Sequence, residues 1–186
     1  EKHMANTTFQ GNVRAEGGLE QVTKSATTGA YTTNFDVDTS GSMIYRNRSV
    51  SIDTATYDVE ATQSGTVFTL NRAAGIVVTL PVATAGLNYK FIVGTTFTGA
   101  GQILSGSGTQ FYTGFARLFD PAGAGDTNAF ASTNTTTIDL GSAAQGWLIG
   151  GIIRLVALPT YQSAVTIPWH CDASLHGDGT LVTPFE

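Results

Sequence analysis

The densest group of metal-ligating and nucleophilic side chains falls in Trp169-His-Cys-Asp-Ala-Ser-Leu-His-Gly-Asp178, where His170, Cys171 and His176 lie within seven residues. Two imidazoles and a thiolate make a donor set for zinc or nickel. An extended strand sends His170 and Cys171 to opposite faces, so a shared ion requires the segment to fold back on itself. The competing expectation is a solvated hairpin loop carrying a half-buried cysteine. A second candidate is Asp36-Val-Asp38-Thr-Ser40-Gly41, which fits the first six positions of an EF-hand calcium loop. Its twelfth position falls on Asn47, where a bidentate acid is needed, and no helix is expected on either side. Asp36 and Asp38 therefore stand as weak cation candidates against an Asx-type turn closing a strand.

Other reactive constellations are missing from the chain. Neither G-x-S-x-G nor S-x-x-K occurs, and Cys171 has a sequence-adjacent His but no evident third group to orient it. Glycoside cleavage needs two facing carboxylates, whereas the 14 acids sit mostly beside Gly, Thr or Asn in turn-like contexts. Gly106-Ser-Gly108 and Gly123-Ala-Gly125 lack the following Lys and the helix of a phosphate cradle. The sequons at Asn6, Asn47 and Asn134 are expected by chance in so Thr-rich a chain. No catalytic residue and no cofactor is expected, and the protein is read as a non-enzyme. Tyr112, Phe115, Phe119, Trp147 and Trp169 pose a different question: such rings stack on sugars or anchor interfaces when exposed, and pack a core when buried.

The elements that must position these residues follow from composition and spacing. The 186 residues include 29 Thr, 21 Ala and 22 Gly, with only 12% charged and a net charge of −5. Small and β-branched residues on this scale argue against a helical bundle. The negative balance and scattered Arg argue against nucleic acid as a partner. The longest apolar stretch, Trp147 to Leu158, is interrupted by Gly150, Gly151 and Arg154, so no membrane span is expected. A single cysteine excludes an internal disulfide.

Glu1-Lys2-His3 precedes Met4 and reads as a cloning remnant. Residues 4–41 are polar and Gly/Thr-rich and are expected to form an extended N-terminal arm, with a weak strand over 30–38. From 42 to 186, β-candidates recur every ten residues or so between Gly, Asn, Asp and Pro, the spacing of a sandwich or barrel. Thr66–Leu70 and Ile76–Leu80 flank Asn71–Gly75 as a hairpin, and Pro81 ends the second strand. Leu87–Val93 alternates as a half-buried strand. Residues 99–125 read as a long loop folded round its own aromatics, with a weak strand at 102–104. Ile152–Leu158 reads as a strand covered on both faces by a second sheet or a neighbouring subunit. Further strands are expected at 135–140, 164–169 and 180–185. The fold class is all-β: a β-sandwich, jelly-roll-like, with an extended N-terminal arm.

The order Ser64-Gly-Thr-Val-Phe-Thr-Leu70, Gly75-Ile-Val-Val-Thr-Leu-Pro81, Ala85-Gly-Leu-Asn-Tyr-Lys-Phe-Ile-Val93 resembles tailed-bacteriophage virion proteins, above all small head decoration (cement) proteins and head or tail fibre domains. Trp169, Gly177, Gly179 and Pro184-Phe185 are similar to the closing hairpin of such modules. The resemblance covers residues 62–95 and, more loosely, 146–185. It implies a trimeric all-β module on the outer capsid surface, with the major capsid protein as partner, and it transfers no catalytic residue. Residues 4–38 would then be the capsid-binding arm, with its bulky members Phe9, Arg14 and Leu19 as anchors. The implied alternative is a receptor- or glycan-binding fibre domain using Tyr112, Phe115 and Phe119.

Overall fold

The computed structural model describes residues 19–24, 27, 29, 31–37, 43–45, 48–121, 123, 126–132, 134–159 and 168–186. They belong to two compact units that divide between Arg46 and Asn47. In the first, β1 (Leu19–Lys24), β2 (Tyr31–Val37) and β3 (Met43–Tyr45) form an antiparallel meander in the order β1-β2-β3. The strand expected at 30–38 is β2. The segment expected as a single extended arm thus contains paired strands from Leu19 onward; β1 escapes sequence reading because Leu-Glu-Gln-Val-Thr-Lys does not alternate cleanly. Phe9 and Arg14 lie outside the described residues, and Leu19 opens β1 opposite Val37.

The second unit consists of strands joined by turns and two single 3-10 turns, Ala61–Gln63 and Ala143–Gln145. One sheet contains β4 (Ser49–Ile52), β6 (Val67–Leu70), β8 (Asn88–Val93), β10 (Tyr112–Phe119), β11 (Thr127–Ala131), β13 (Ile152–Ala157) and β14 (Trp169–His176). The other contains β5 (Thr56–Asp58), β7 (Val77–Thr79), β9 (Gln102–Leu104) and β12 (Thr137–Asp139). Their orders are β11-β10-β14-β13-β8-β6-β4 and β12-β9-β7-β5. One apolar core, including Phe68, Phe91, Val78, Ile103 and Trp169, lies between them. The all-β, two-sheet expectation holds.

The connectivity departs from a jelly roll. Jelly rolls are assembled from antiparallel Greek keys, whereas five of the nine pairings in these two sheets are parallel. From β4 to β9 the chain changes sheet after every strand, so β4, β6 and β8 stack in parallel on one side and β5, β7 and β9 on the other. Residues 49–104 are a flattened two-sheet coil of three turns. Like residues stack between turns: Val50–Phe68–Phe91, Ile52–Leu70–Val93 and Tyr57–Val78–Ile103 occupy successive ladder positions. The Phe68 and Phe91 rings lie 5.1 Å apart at 17°.

The expected hairpin over 66–80 is instead an arch. β6 and β7 pair with different sheets, and Asn71–Gly75 carries the chain across the gap between them. Gly75 has φ +94, and a Cβ there would meet the Ala100 carbonyl oxygen at 2.1 Å. Arg72 donates from its guanidinium to the Gly75 carbonyl, and Thr98 N–H donates to Ala73 O at 2.7 Å. β7 ends just before Leu80-Pro81, because proline offers no N–H to a ladder.

Downstream, the strand expected at 102–104 is β9, the rest of the segment expected as a Gly-rich loop supplies the eight-residue β10, and β11 follows it. Gly114 makes this possible: at φ +103 its missing Cβ lets β10 approach Cys171 O, which a side chain would meet at 2.1 Å. β14 runs straight through the expected hairpin loop at His170–His176, and residues 160–167 lie outside the described residues. The strand expected at 180–185 is reduced to one bridge, Ile138 to Phe185. Within the chain β13 buries one face: Ile153, Leu155 and Ala157 point inward, while Val156 is 39% exposed.

The arch yields a paired prediction. Gly86 has φ +93 with nothing within 4 Å of the point a Cβ would occupy, so Gly86→Ala carries only the left-handed backbone penalty, about 1–2 kcal/mol. Gly75→Ala adds a backbone clash and should cost about 3 kcal/mol or more. Urea denaturation of the two variants checks this; equal losses would show that the coil tolerates a shift of Ala100.

Candidate functional site

β14 places the reactive residues. Trp169, Cys171, Ala173 and Leu175 are buried, and His170, Asp172, Ser174 and His176 face outward. The two imidazoles share a face but stand six residues apart, about 20 Å along an extended strand, so they cannot ligate one ion. Cys171 points the other way, fully buried, and burial pushes its thiol up from 9.0 to about 12, with Asp172 adding to the effect. Among the described residues no three His, Cys, Asp or Glu side chains are grouped to hold a metal ion. His176 donates from Nδ1 to Ile149 O at 3.1 Å. Asp36 lies within β2, opposite Glu20 and Ile44 in register, which is strand and not an EF-hand loop. Asp38 lies outside the described residues.

The aromatic candidates separate. Tyr112 is fully buried and donates from its hydroxyl to Ile103 O at 3.1 Å, so it is a core residue and not a contact for a glycan. Burial raises its pKa well above 10.0, with Cys171 as the second cause. Trp169 is also buried, against Tyr89 at 5.6 Å, and its indole N–H has no hydrogen-bond partner among the described residues. Phe115 and Phe119 do face outward: Arg117 lies over the Phe115 ring at 4.9 Å, and Phe119, 38% exposed, meets His176 edge-on at 6.4 Å.

These outward positions belong to one continuous surface, the solvent side of the seven-stranded sheet. Register places Phe115, Asp172, Arg154, Lys90 and Val67 in one row across β10, β14, β13, β8 and β6. The next row is Arg117, Ser174, Ile152, Ile92 and Thr69. The row on the other side carries Thr113, His170, Val156 and Asn88. Between Val67, Asn88, Lys90, Arg154 and Val156 lies a shallow depression of about 180 Å³.

Two features set this face apart. Its charge is one-sided: the seven strands contain Lys90, Arg117 and Arg154 but a single carboxylate, Asp172. The four-stranded sheet contains Asp58 and Asp139 and no cation. Asp139 is held above the usual carboxylate range by burial first and by neighbouring Glu186 besides, with the Gly141 N–H opposing. The basic face also mixes apolar residues among its polar ones, with half-buried Ile92 directly opposite Ile152 and Val156 exposed. Sequence reading singles out neither Lys90, Arg117 nor Arg154; the parity of Lys90 against Tyr89 and Phe91 is the available signal.

Comparison with protein-family models, with curated proteins and with solved structures finds no match to this chain.

The Cys171 environment sets a pH dependence. A thiol raised above its unfolded value keeps a proton that the unfolded chain releases, so its contribution is complete below about pH 9 and is lost as pH rises towards 12. Unfolding free energy should therefore fall above pH 9, approaching about 1.4 kcal/mol per pH unit for one proton. Cys171→Ala should flatten the curve between pH 9 and 10, before Tyr112 contributes. Urea midpoints across this range test it, and an unchanged slope in the variant would remove the assignment.

Proposed function

We propose that this chain is a structural virion protein: a capsid decoration (cement) protein that attaches to the major capsid protein on the outside of an assembled phage head, acts as a homotrimer and stabilises the shell without turnover. The observation that carries the reading is the solvent side of the seven-stranded sheet, which offers a flat surface of apolar and cationic side chains with no grouped acid–base or metal-ligating residues among those described. Such a surface binds by shape and charge and needs no cofactor. The resemblance of residues 62–95 to phage head proteins supports the partner. The attaching segment is proposed to lie within residues 4–41, with Phe9, Arg14 and Leu19 as its anchors.

The physics of cementing is linkage. A ligand that binds the closed shell and not the opened one stabilises it by RT ln(1 + [L]/Kd), about 2.7 kcal/mol per site at a hundredfold excess over Kd. Rigid sheets lose little entropy on docking, which suits a body of short stacked strands. Among the described residues no helix is long and apolar enough to cross a membrane, and the basic face is too small a cluster for nucleic acid to be proposed as partner. A second reading, a glycan- or receptor-binding fibre domain, draws on exposed Phe119 beside His176. With Tyr112 buried and Phe115 under Arg117, that ring stands without a stacking platform.

Purified protein added to cognate heads that lack it should bind saturably and stoichiometrically and raise the temperature of shell disruption by several degrees. Deleting residues 4–18 should lower occupancy while leaving the melting temperature of the remaining chain unchanged. Absence of binding to any cognate shell, with positive binding on a glycan array, would transfer the protein to the fibre reading.

A further inference from the structure

The row Lys90–Arg154–Asp172 contains an arrangement that a merely solvated sheet avoids. Lys90 and Arg154 stand directly opposite each other on β8 and β13, and like charges so placed cost stability. Asp172 answers only Arg154, through a 3.4 Å ion pair whose partners are 54% and 41% exposed; no ion pair joins Lys90 or Arg117 to a carboxylate among the described residues. Around these cations lie exposed Val156 and the half-buried Val67, Ile92 and Ile152 on the outer side of the sheet. Repulsion and exposed apolar area in one place break two local rules together, and such conflicts concentrate at functional surfaces.

We infer that the solvent side of the seven-stranded sheet, centred on Lys90 and Arg154, is a docking surface for an acidic protein surface whose carboxylates seat between the two cations. The apolar rows on either side give the burial, and the cations give the sign. A second copy of the same face cannot be the occupant, because it would set Lys90 and Arg154 against themselves. Five strands at about 4.8 Å spacing, each presenting about 20 Å of length, give an area on the order of 500 Å². That falls short of the roughly 800 Å² per partner of a standard stable interface, so a single contact is weak and salt-sensitive, and several copies on one lattice bind by avidity. The inference rests on the proposed function only for the identity of the partner, an acidic patch of the capsid surface.

The probe for the face itself is poly-L-glutamate, titrated at low salt into the isotopically labelled full chain with backbone amide shifts as readout. Shifts should centre on β6, β8 and β13, and affinity should fall at least tenfold in Lys90→Glu/Arg154→Glu and on raising salt to 0.3 M, the Debye length then being about 6 Å. Thr56→Glu, exposed on the four-stranded sheet, should change affinity less than twofold. Should the double reversal fail to fold, Lys90→Gln/Arg154→Gln removes both charges without adding any. Shifts elsewhere, equal loss in Thr56→Glu, tighter binding of dextran sulfate or single-stranded DNA than of poly-L-glutamate, or self-association abolished by the double variant would each overturn the inference. With cognate shells, undiminished attachment of the double variant refutes the docking face and leaves the cement reading standing. Binding of poly-L-glutamate at the face by a protein that attaches to no shell refutes the cement reading alone.

Discussion

The second unit depends on one constraint, the in-register stacking of like residues between parallel turns of chain. Strands of three or four residues such as β4, β5 and β7 cannot hold themselves; a short isolated pair is marginal in water at best. Stacked in parallel, each inward side chain covers the equivalent one in the turn below, and the Phe68–Phe91 pair adds ring stacking to burial. The same step pairs the backbone groups along the shared edges. The antiparallel block β13–β14 and the long strand β10 then extend the sheet beyond the third turn, with Phe91 opposite Ile153 and Ile153 opposite Ala173. The core is one row of residues prolonged sideways.

How far this was legible in the sequence follows from what local pattern encodes. Parity along a strand is local, and the alternation Tyr89, Phe91, Val93 against Asn88, Lys90, Ile92 is present in the structure as read. Partner choice is not local. Thr66–Leu70 and Ile76–Leu80 separated by five residues look the same whether the turn reverses the chain within a sheet or carries it to the opposite one, and only the tertiary ladders decide. Glycine misleads for a related reason: around Gly114 it signals a loop, whereas it marks the closest approach of β10 to β14. The same holds for the chemistry-bearing cluster. His170, Cys171 and His176 are close in sequence and divided by the pleat in space, so proximity along the chain overstates their common purpose.

Burial explains why the most reactive atoms of the chain are the least available. Cys171 and Tyr112 lie on adjacent strands inside the core, and burial raises the pKa of both, so both stay neutral further into the alkaline range than an exposed thiol or phenol. The buried Trp169 indole N–H and Thr66 hydroxyl have no hydrogen-bond partner among the described residues, a cost of about 1–3 kcal/mol for each such group. A core that carries these penalties is set by shape complementarity between stacked rows, and polar chemistry inside it serves packing.

The two sheets therefore differ in what they leave outside. The four-stranded sheet presents Thr56, Thr79, Gln102 and Thr137 with two acids and half-buried Val77 and Leu104, and carries no cation. The seven-stranded sheet presents the opposite sign and isoleucines facing each other across strands. Folding alone gains nothing from that asymmetry: exchanging Lys90 for a glutamate would complete an alternating Glu–Arg–Asp row and remove a repulsion worth a few tenths of a kcal/mol. The cation is retained against the local interest of the sheet. On the inference drawn above, an acidic partner would supply the counter-charge that Lys90 lacks among the described residues and would cover exposed Val156.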